Sequence, residues 1–89
     1  MAACIITTRD HTGVNFDVMT STGNRYALAS VFKITGQARP FHAHGHDGRT
    51  WVKVGAFRLR REAMAAAMDH AERYANLIDL GDAMRVRAA

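Results

Sequence analysis

The chain has one cysteine, Cys4, so an intramolecular disulfide and a four-cysteine zinc site are both excluded, and stability must come from packing or self-association. Its one proline, Pro40, lacks a backbone N–H and belongs near a strand end or an edge. No stretch approaches the run of about 18 uninterrupted apolar residues that a membrane-spanning helix needs. The start, Met1-Ala2-Ala3-Cys4-Ile5, lacks the charged and apolar regions of a secretion signal, so a soluble, cytoplasmic protein is expected. Repeats, low-complexity tracts and linkers are missing, as are a Gly-rich phosphate loop and a paired-carboxylate motif. No residue pairs with Cys4 for nucleophilic catalysis, so an enzyme is not expected, nor is a cofactor.

What is present is an ordinary globular composition: 48% hydrophobic and 22% charged residues, too apolar for disorder. A length of 89 residues leaves room for one thin core, so residues 1–89 are read as a single domain. Charge is unevenly distributed along it. Residues 1–24 carry −1 and residues 62–89 carry −2, whereas residues 25–61 hold eight basic residues against Asp47 alone, a net of +7. That block is Arg25, Lys33, Arg39, Arg49, Lys53, Arg58, Arg60 and Arg61, and it points to a polyanion or an acidic protein partner for one surface.

The first half reads as strands. Residues 3–8 are rich in Ile and Thr, and apolar and polar residues alternate over residues 14–20. Ser21-Thr22-Gly23-Asn24 turns the chain into residues 25–34, whose even positions Tyr26, Leu28, Phe32 and Ile34 are expected to face a core that Ser30 interrupts. Two further strands, about 39–45 and 50–57, flank Asp47-Gly48, a pair suited to a two-residue hairpin turn. That turn sets Phe41 opposite Val54 and Ala43 opposite Val52 on an apolar face, with His42 opposite Lys53 and His44 opposite Trp51 on the other. From residue 59 the period becomes helical to about residue 78, with Leu59, Ala63, Ala66 or Ala67, His70, Tyr74 and Leu77 or Ile78 forming the apolar stripe and Gly81 placed to end it. The expected fold is α+β: an antiparallel sheet of four or five strands with one long C-terminal helix on one face.

The run His42-Ala43-His44-Gly45-His46-Asp47 places three imidazoles on one strand face. A rise of about 3.3 Å per residue spreads the outer two too widely for a tetrahedral site, so no metal is expected. The working surface is expected on the sheet face away from the helix. There Trp51 and His44 offer stacking surfaces and Arg39, Arg49 and Lys53 neutralise phosphates. Arg25, Lys33 and His42 complete that surface, and Arg58, Arg60 and Arg61 add an anion-binding cluster at the positive end of the helix dipole.

The segment Trp51-Val52-Lys53-Val54-Gly55-Ala56-Phe57, followed by Glu62-Ala63 and Ala66, resembles the Apetala/ethylene-response-factor DNA-binding domain and the related amino-terminal domains of phage and mobile-element integrases over about Arg39 to Ala75. The resemblance implies a three-stranded sheet on one helix whose outer face enters the DNA major groove, with Trp51 and Lys53 as contacts. The expected function is therefore a small, non-catalytic nucleic-acid-binding module, with DNA ahead of RNA as partner. The other expectation is a phage- or mobile-element-type inhibitor that docks on an acidic or nucleic-acid-binding surface of a larger complex. In size the chain is similar to anti-CRISPR proteins. A homodimer through an exposed strand edge is a third.

Overall fold

The computed structural model of the protein describes residues 3–88. Five strands follow one another, β1 (Cys4–Asp10), β2 (Gly13–Met19), β3 (Arg25–Lys33), β4 (Phe41–His46) and β5 (Trp51–Phe57), and a single helix α1 (Arg60–Ala88) ends the chain. The strands form one antiparallel meander in the order β1-β2-β3-β4-β5, with the helix packed on one face, so the expected α+β architecture is the observed one.

Antiparallel connection sends alternate turns to opposite ends of the sheet. The β1–β2 turn, the β3–β4 loop and the β5–α1 junction share one end, and the β2–β3 and β4–β5 turns share the other. Helix α1 starts at the first end and runs to the second. At 29 residues it is about 43 Å long, against roughly 23 Å for a seven-residue strand. Its last turns therefore pass beyond the strands and lie against the β2–β3 turn.

The core lies between the helix and the sheet. Val14, Phe16 and Val18 of β2, Leu28, Ala29 and Val31 of β3 and Ala43 of β4 are buried against Ala63, Ala67, Ala71 and Ala75. Alanines four residues apart keep one helix face flat, which lets the backbone approach the sheet closely. The larger side chains then come from the strands. Between Ala67 and Ala71 the helix supplies His70, whose ring lies on Gly45 of β4 and whose Nε2–H donates to the His46 carbonyl at 3.0 Å. Glycine permits this approach, because a Cβ on residue 45 would stand 2.2 Å from His70 Nε2 and the ring would have to move.

Four details of the sequence reading are corrected. In β3 the register shifts so that Phe16 pairs with Ala29 but Asp17 with Ala27, leaving Leu28 as the extra residue of a bulge. Leu28 and Ala29 are consequently buried side by side, the inward face passes from even to odd positions, and Phe32 turns outward while Ile34 lies exposed beyond the strand. The β4–β5 hairpin closes through a four-residue loop rather than two: Asp47 N–H donates to Thr50 O, the Asp47 carboxylate accepts the amides of Arg49 and Thr50, and Gly48 takes φ +96°. His46 then opposes Trp51, His44 opposes Lys53, and a bulge at Val54 sets Ala43 opposite Gly55 and Phe41 opposite Phe57. Two residues of shift preserve the faces, so His44, Trp51 and Lys53 remain together on the outer side.

The helix is the fourth correction, since it continues through Gly81. Past that glycine the inward stripe is taken up by Asp82, buried at the end of α1. Its carboxylate accepts hydrogen bonds from Thr20 Oγ1 at 2.9 Å, Tyr26 OH at 2.6 Å, Asn24 Nδ2 at 3.0 Å and the Thr22 hydroxyl. One turn earlier Asp79 accepts the Ser21 amide and hydroxyl. These carboxylates fasten the helix to the β2–β3 turn. The hydroxyl donors, Thr22 and Tyr26 foremost, hold the Asp82 carboxyl well below the usual carboxylate range, and the Asp82 carboxylate in turn raises the Tyr26 phenol.

Candidate functional site

The sheet face away from the helix is uncovered. It presents the outward residues of each strand: Thr8 of β1, Asn15 and Asp17 of β2, Arg25, Ser30 and Phe32 of β3, His42 and His44 of β4, and Trp51 and Lys53 of β5. A shallow hollow of about 510 Å³ crosses it, bordered by Phe32, His44 and Trp51, with Thr8, Asn15, Asp17, Arg25 and Ser30 supplying polar groups. Trp51 is 46% exposed, and Phe32 and His44 are half-buried. The rings are held by one another. Phe32 lies 5.0 Å from His44 edge-on and 5.6 Å from His42 in a stack, and Trp51 meets the His46 ring edge-on at 5.5 Å.

Of the basic residues expected on this face, few are there. Arg25 is on it, but its Nε is paired with Asp17 Oδ2 at 2.8 Å and its guanidinium also reaches Thr8 Oγ1. Lys53 is on it, exposed beside His44. His42 is on it but buried, stacked on Phe32 and donating through Nε2–H to Gln37 Oε1 at 2.8 Å, so it supports the face rather than offering a contact. Arg49 sits in the β4–β5 loop. The remaining cations gather elsewhere, because β3, β5 and the start of α1 all meet at one end of the sheet: Lys33 ends β3, Arg39 lies in the β3–β4 loop, Arg58 follows β5, and Arg60 and Arg61 open the helix. Lys33 faces the helix side, its Nζ 5.6 Å from the Phe41 ring, and with Arg60, Asp10 and His11 it lines a smaller hollow of about 200 Å³. The face expected to be basic is thus nearly neutral and aromatic, while Arg58, Arg60 and Arg61 stand at the helix start as expected and Lys33 and Arg39 join them at that end.

That basic end keeps a net positive charge, with Lys33, Arg39, Arg58, Arg60 and Arg61 against Asp10 and Glu62. The two ion pairs among the described residues are Arg25–Asp17 and Arg73–Asp69, and neither involves Lys33, Arg39, Arg58, Arg60 or Arg61. The nearest acid in the β1–β2 turn, Asp10, has its carboxylate occupied by the Thr12 hydroxyl and amide and the Gly13 amide, which lower its pKa. Five exposed cations that outnumber the two acids and make no ion pair among the described residues raise the local potential for an anion.

The three histidines of β4 have separate partners: His42 in Gln37, His44 on Phe32, and His46 Nδ1 accepting the Gly48 amide. Among the described residues no group of three or more His, Cys, Asp or Glu side chains could hold a metal ion. Cys4 is exposed and free. No helix among the described residues is long and apolar enough to cross a membrane.

Sequence reasoning missed Phe32, Asn15, Asp17, Ser30 and Thr8 as residues of the hollow. For Asn15 and Asp17 a signal existed in the alternation of β2, which turns both away from the core. For Phe32 the only hint was Ser30, a polar residue interrupting the even face, which is where the bulge exchanges the two faces. The Gly-x-Phe segment ends β5 at Phe57 and α1 begins at Arg60, so strand and helix follow each other as the resemblance implies, in a sheet of five strands rather than three. Searches against family models, curated proteins and solved structures found no match to this chain.

Proposed function

We propose that this protein is a small, non-catalytic nucleic-acid-binding module that takes a single strand across the open face of its sheet. The observation that carries the reading is the hollow of about 510 Å³ bordered by Phe32, His44 and Trp51 beside a basic end. Its volume lies within the range of roughly 300–1,000 Å³ that accepts small organic groups, and a base has a π-face that stacks on any of these rings. Lys53 on the face and Lys33, Arg39, Arg58, Arg60 and Arg61 at its end are the phosphate-neutralising groups.

Width favours a single strand over a duplex. Five strands about 4.8 Å apart make a face roughly 19 Å across, wider than the B-DNA major groove of about 12 Å. Insertion of the whole face into the groove, which the resemblance implies, is therefore less well supported than a strand lying on it. The second expectation, docking on a larger protein complex, is favoured by a different observation: Leu77, Leu80 and Met84 are exposed on one side of the helix.

Fluorescence anisotropy with short labelled single strands and duplexes, of DNA and of RNA, tests the proposal. Single strands are expected to bind more tightly than duplexes of the same length, and Trp51→Ala to weaken them by roughly tenfold to hundredfold, the loss of one base stack. Equal binding by Trp51→Ala, or no binding of single strands at low salt, overturns it.

A further inference from the structure

The hollow on the open face has two unlike walls, and its shape follows from β3. The outward residues of that strand run Arg25, Ala27, Ser30 and Phe32, so two small side chains lie between two large ones. They leave a slot along the strand, lined by Ala27, Ala29 and Ser30. On its β4–β5 side stand His44 and Trp51, whose rings take a base by stacking. On its β2 side stand Asn15 and Asp17, the cross-strand partners of Ser30 and Ala27.

The β2 wall has a fixed pattern of polar groups. Asp17 is half-buried, and its Oδ2 accepts from Arg25 Nε at 2.8 Å, while the Arg25 guanidinium donates also to Thr8 Oγ1 at 3.2 Å. Asp17 Oδ1 accepts no hydrogen bond among the described residues. The two charges cancel, so this wall favours a ligand by the order of its donors and acceptors rather than by attraction for one sign. An ionised carboxylate only accepts, and the guanidinium beside it only donates and has N–H groups to spare.

The Watson–Crick edges of the bases differ in how they meet such a pair. Guanine presents two adjacent donors, N1–H and N2–H, followed by the O6 acceptor. Adenine and cytosine present one amino group beside a ring-nitrogen acceptor, whose lone pair repels a carboxylate. Thymine and uracil present one N–H between two carbonyls. Two parallel N–H groups are what a carboxylate accepts best, as it does from arginine, and the neighbouring guanidinium supplies the donor that O6 requires. A purine also fills more of a hollow of about 510 Å³ than a pyrimidine does. We propose that the slot selects guanine from a single strand: the base stacks against His44 and Trp51, the Asp17 carboxylate accepts N1–H and N2–H, and Arg25 donates to O6. This selection rests on the reading of the face as a single-strand platform and adds a base preference to it.

The probe is a short labelled oligothymidine in which one central thymine is changed to guanine, adenine, cytosine or hypoxanthine, the last being guanine without its 2-amino group. In fluorescence anisotropy the guanine strand is expected to bind at least about tenfold more tightly than each of the others, hypoxanthine included. Asp17→Asn keeps the size of the side chain and replaces one acceptor oxygen with a donor, and it is expected to bind all the strands about equally. Ala27→Ile fills the slot with a residue that suits a strand, and it is expected to lose the preference with Asp17 intact. Circular dichroism checks that both variants fold, and the hypoxanthine comparison needs no variant. Equal binding of the guanine and hypoxanthine strands, tighter binding of another base, or a guanine preference that survives Asp17→Asn overturns the proposal and leaves the single-strand reading standing. Failure of every strand to bind at low salt overturns both.

Discussion

Replacing Gly45 with alanine tests how closely the helix sits on the sheet. The added Cβ would lie 2.2 Å from His70 Nε2, 2.3 Å from Cδ2 and 2.6 Å from Cε1, so the whole imidazole edge is in the way. Ordinary carbon contacts are about 3.5–4 Å, which requires the ring to retreat by more than an ångström. Its 3.0 Å hydrogen bond to the His46 carbonyl cannot survive that movement, and its contact with the Tyr74 ring at 4.6 Å is disturbed. Overpacking costs about 1–3 kcal/mol and the hydrogen bond about 1 kcal/mol, so Gly45→Ala is expected to destabilise the domain by about 2–4 kcal/mol. For a domain of this size each kcal/mol lowers Tm by about 4–8 °C. Urea unfolding followed by far-ultraviolet circular dichroism measures it, alongside His70→Ala and the double variant. The double variant is expected to be more stable than the sum of the singles predicts by at least about 1 kcal/mol, because the methyl then occupies the space the ring has left. A Gly45→Ala variant within about 0.5 kcal/mol of wild type, or strict additivity, would refute the packing described here.

Two further predictions concern the helix. Because its carboxyl is held below the usual range in the folded protein while the unfolded chain titrates near about 3.9, Asp82 makes stability rise with pH through the acid range and fall as pH drops through the folded value. Asp82→Asn is expected to lower stability near neutrality and to flatten its dependence below about pH 4, leaving the smaller slope from Asp10 and Asp47, whose pKa values are also lowered; an unchanged slope in acid unfolding curves would contradict this. Gly81→Ala, placed in open space within the helix, is expected to raise stability by about 0.5–1 kcal/mol, and thermal unfolding showing no gain would mean that the glycine is needed by the fold itself.

The five strands and the helix were legible because alternation, turn residues and helical period agree along most of the chain. What escaped depends on single residues. One extra residue at Leu28 and one at Val54 exchange or shift strand faces, and no local pattern distinguishes a bulged residue from a paired one before the neighbouring strand is in place. Ser30 was the visible symptom, and reading it as an interruption sent Phe32 to the core instead of to the open face. Gly81 was read as a stop because glycine commonly ends helices, whereas the stripe continuing through Tyr74, Ile78 and Asp82 carried the opposite signal. The side chains that hold that last stretch, Thr20, Ser21, Thr22, Asn24 and Tyr26, lie about sixty residues away, so their role appears only in the folded chain.

The charge block was legible as composition but not as a surface. A meander returns to the same end at every second turn, so Lys33, Arg39, Arg58, Arg60 and Arg61 meet although 28 positions separate the first from the last. Arg25, Arg49 and Lys53, from the same block, are carried to the other end or along the edge strand.

The dependence of single-strand affinity on salt, compared between the wild type and a triple variant Arg58→Ala, Arg60→Ala, Arg61→Ala, tests the proposed function most directly. Each phosphate neutralised contributes about −0.7 to the slope of log K against log salt for single strands, so the triple variant is expected to bind more weakly with a slope shallower by about 2. A slope that is the same in both proteins, or affinity that does not fall with salt in either, would contradict the account.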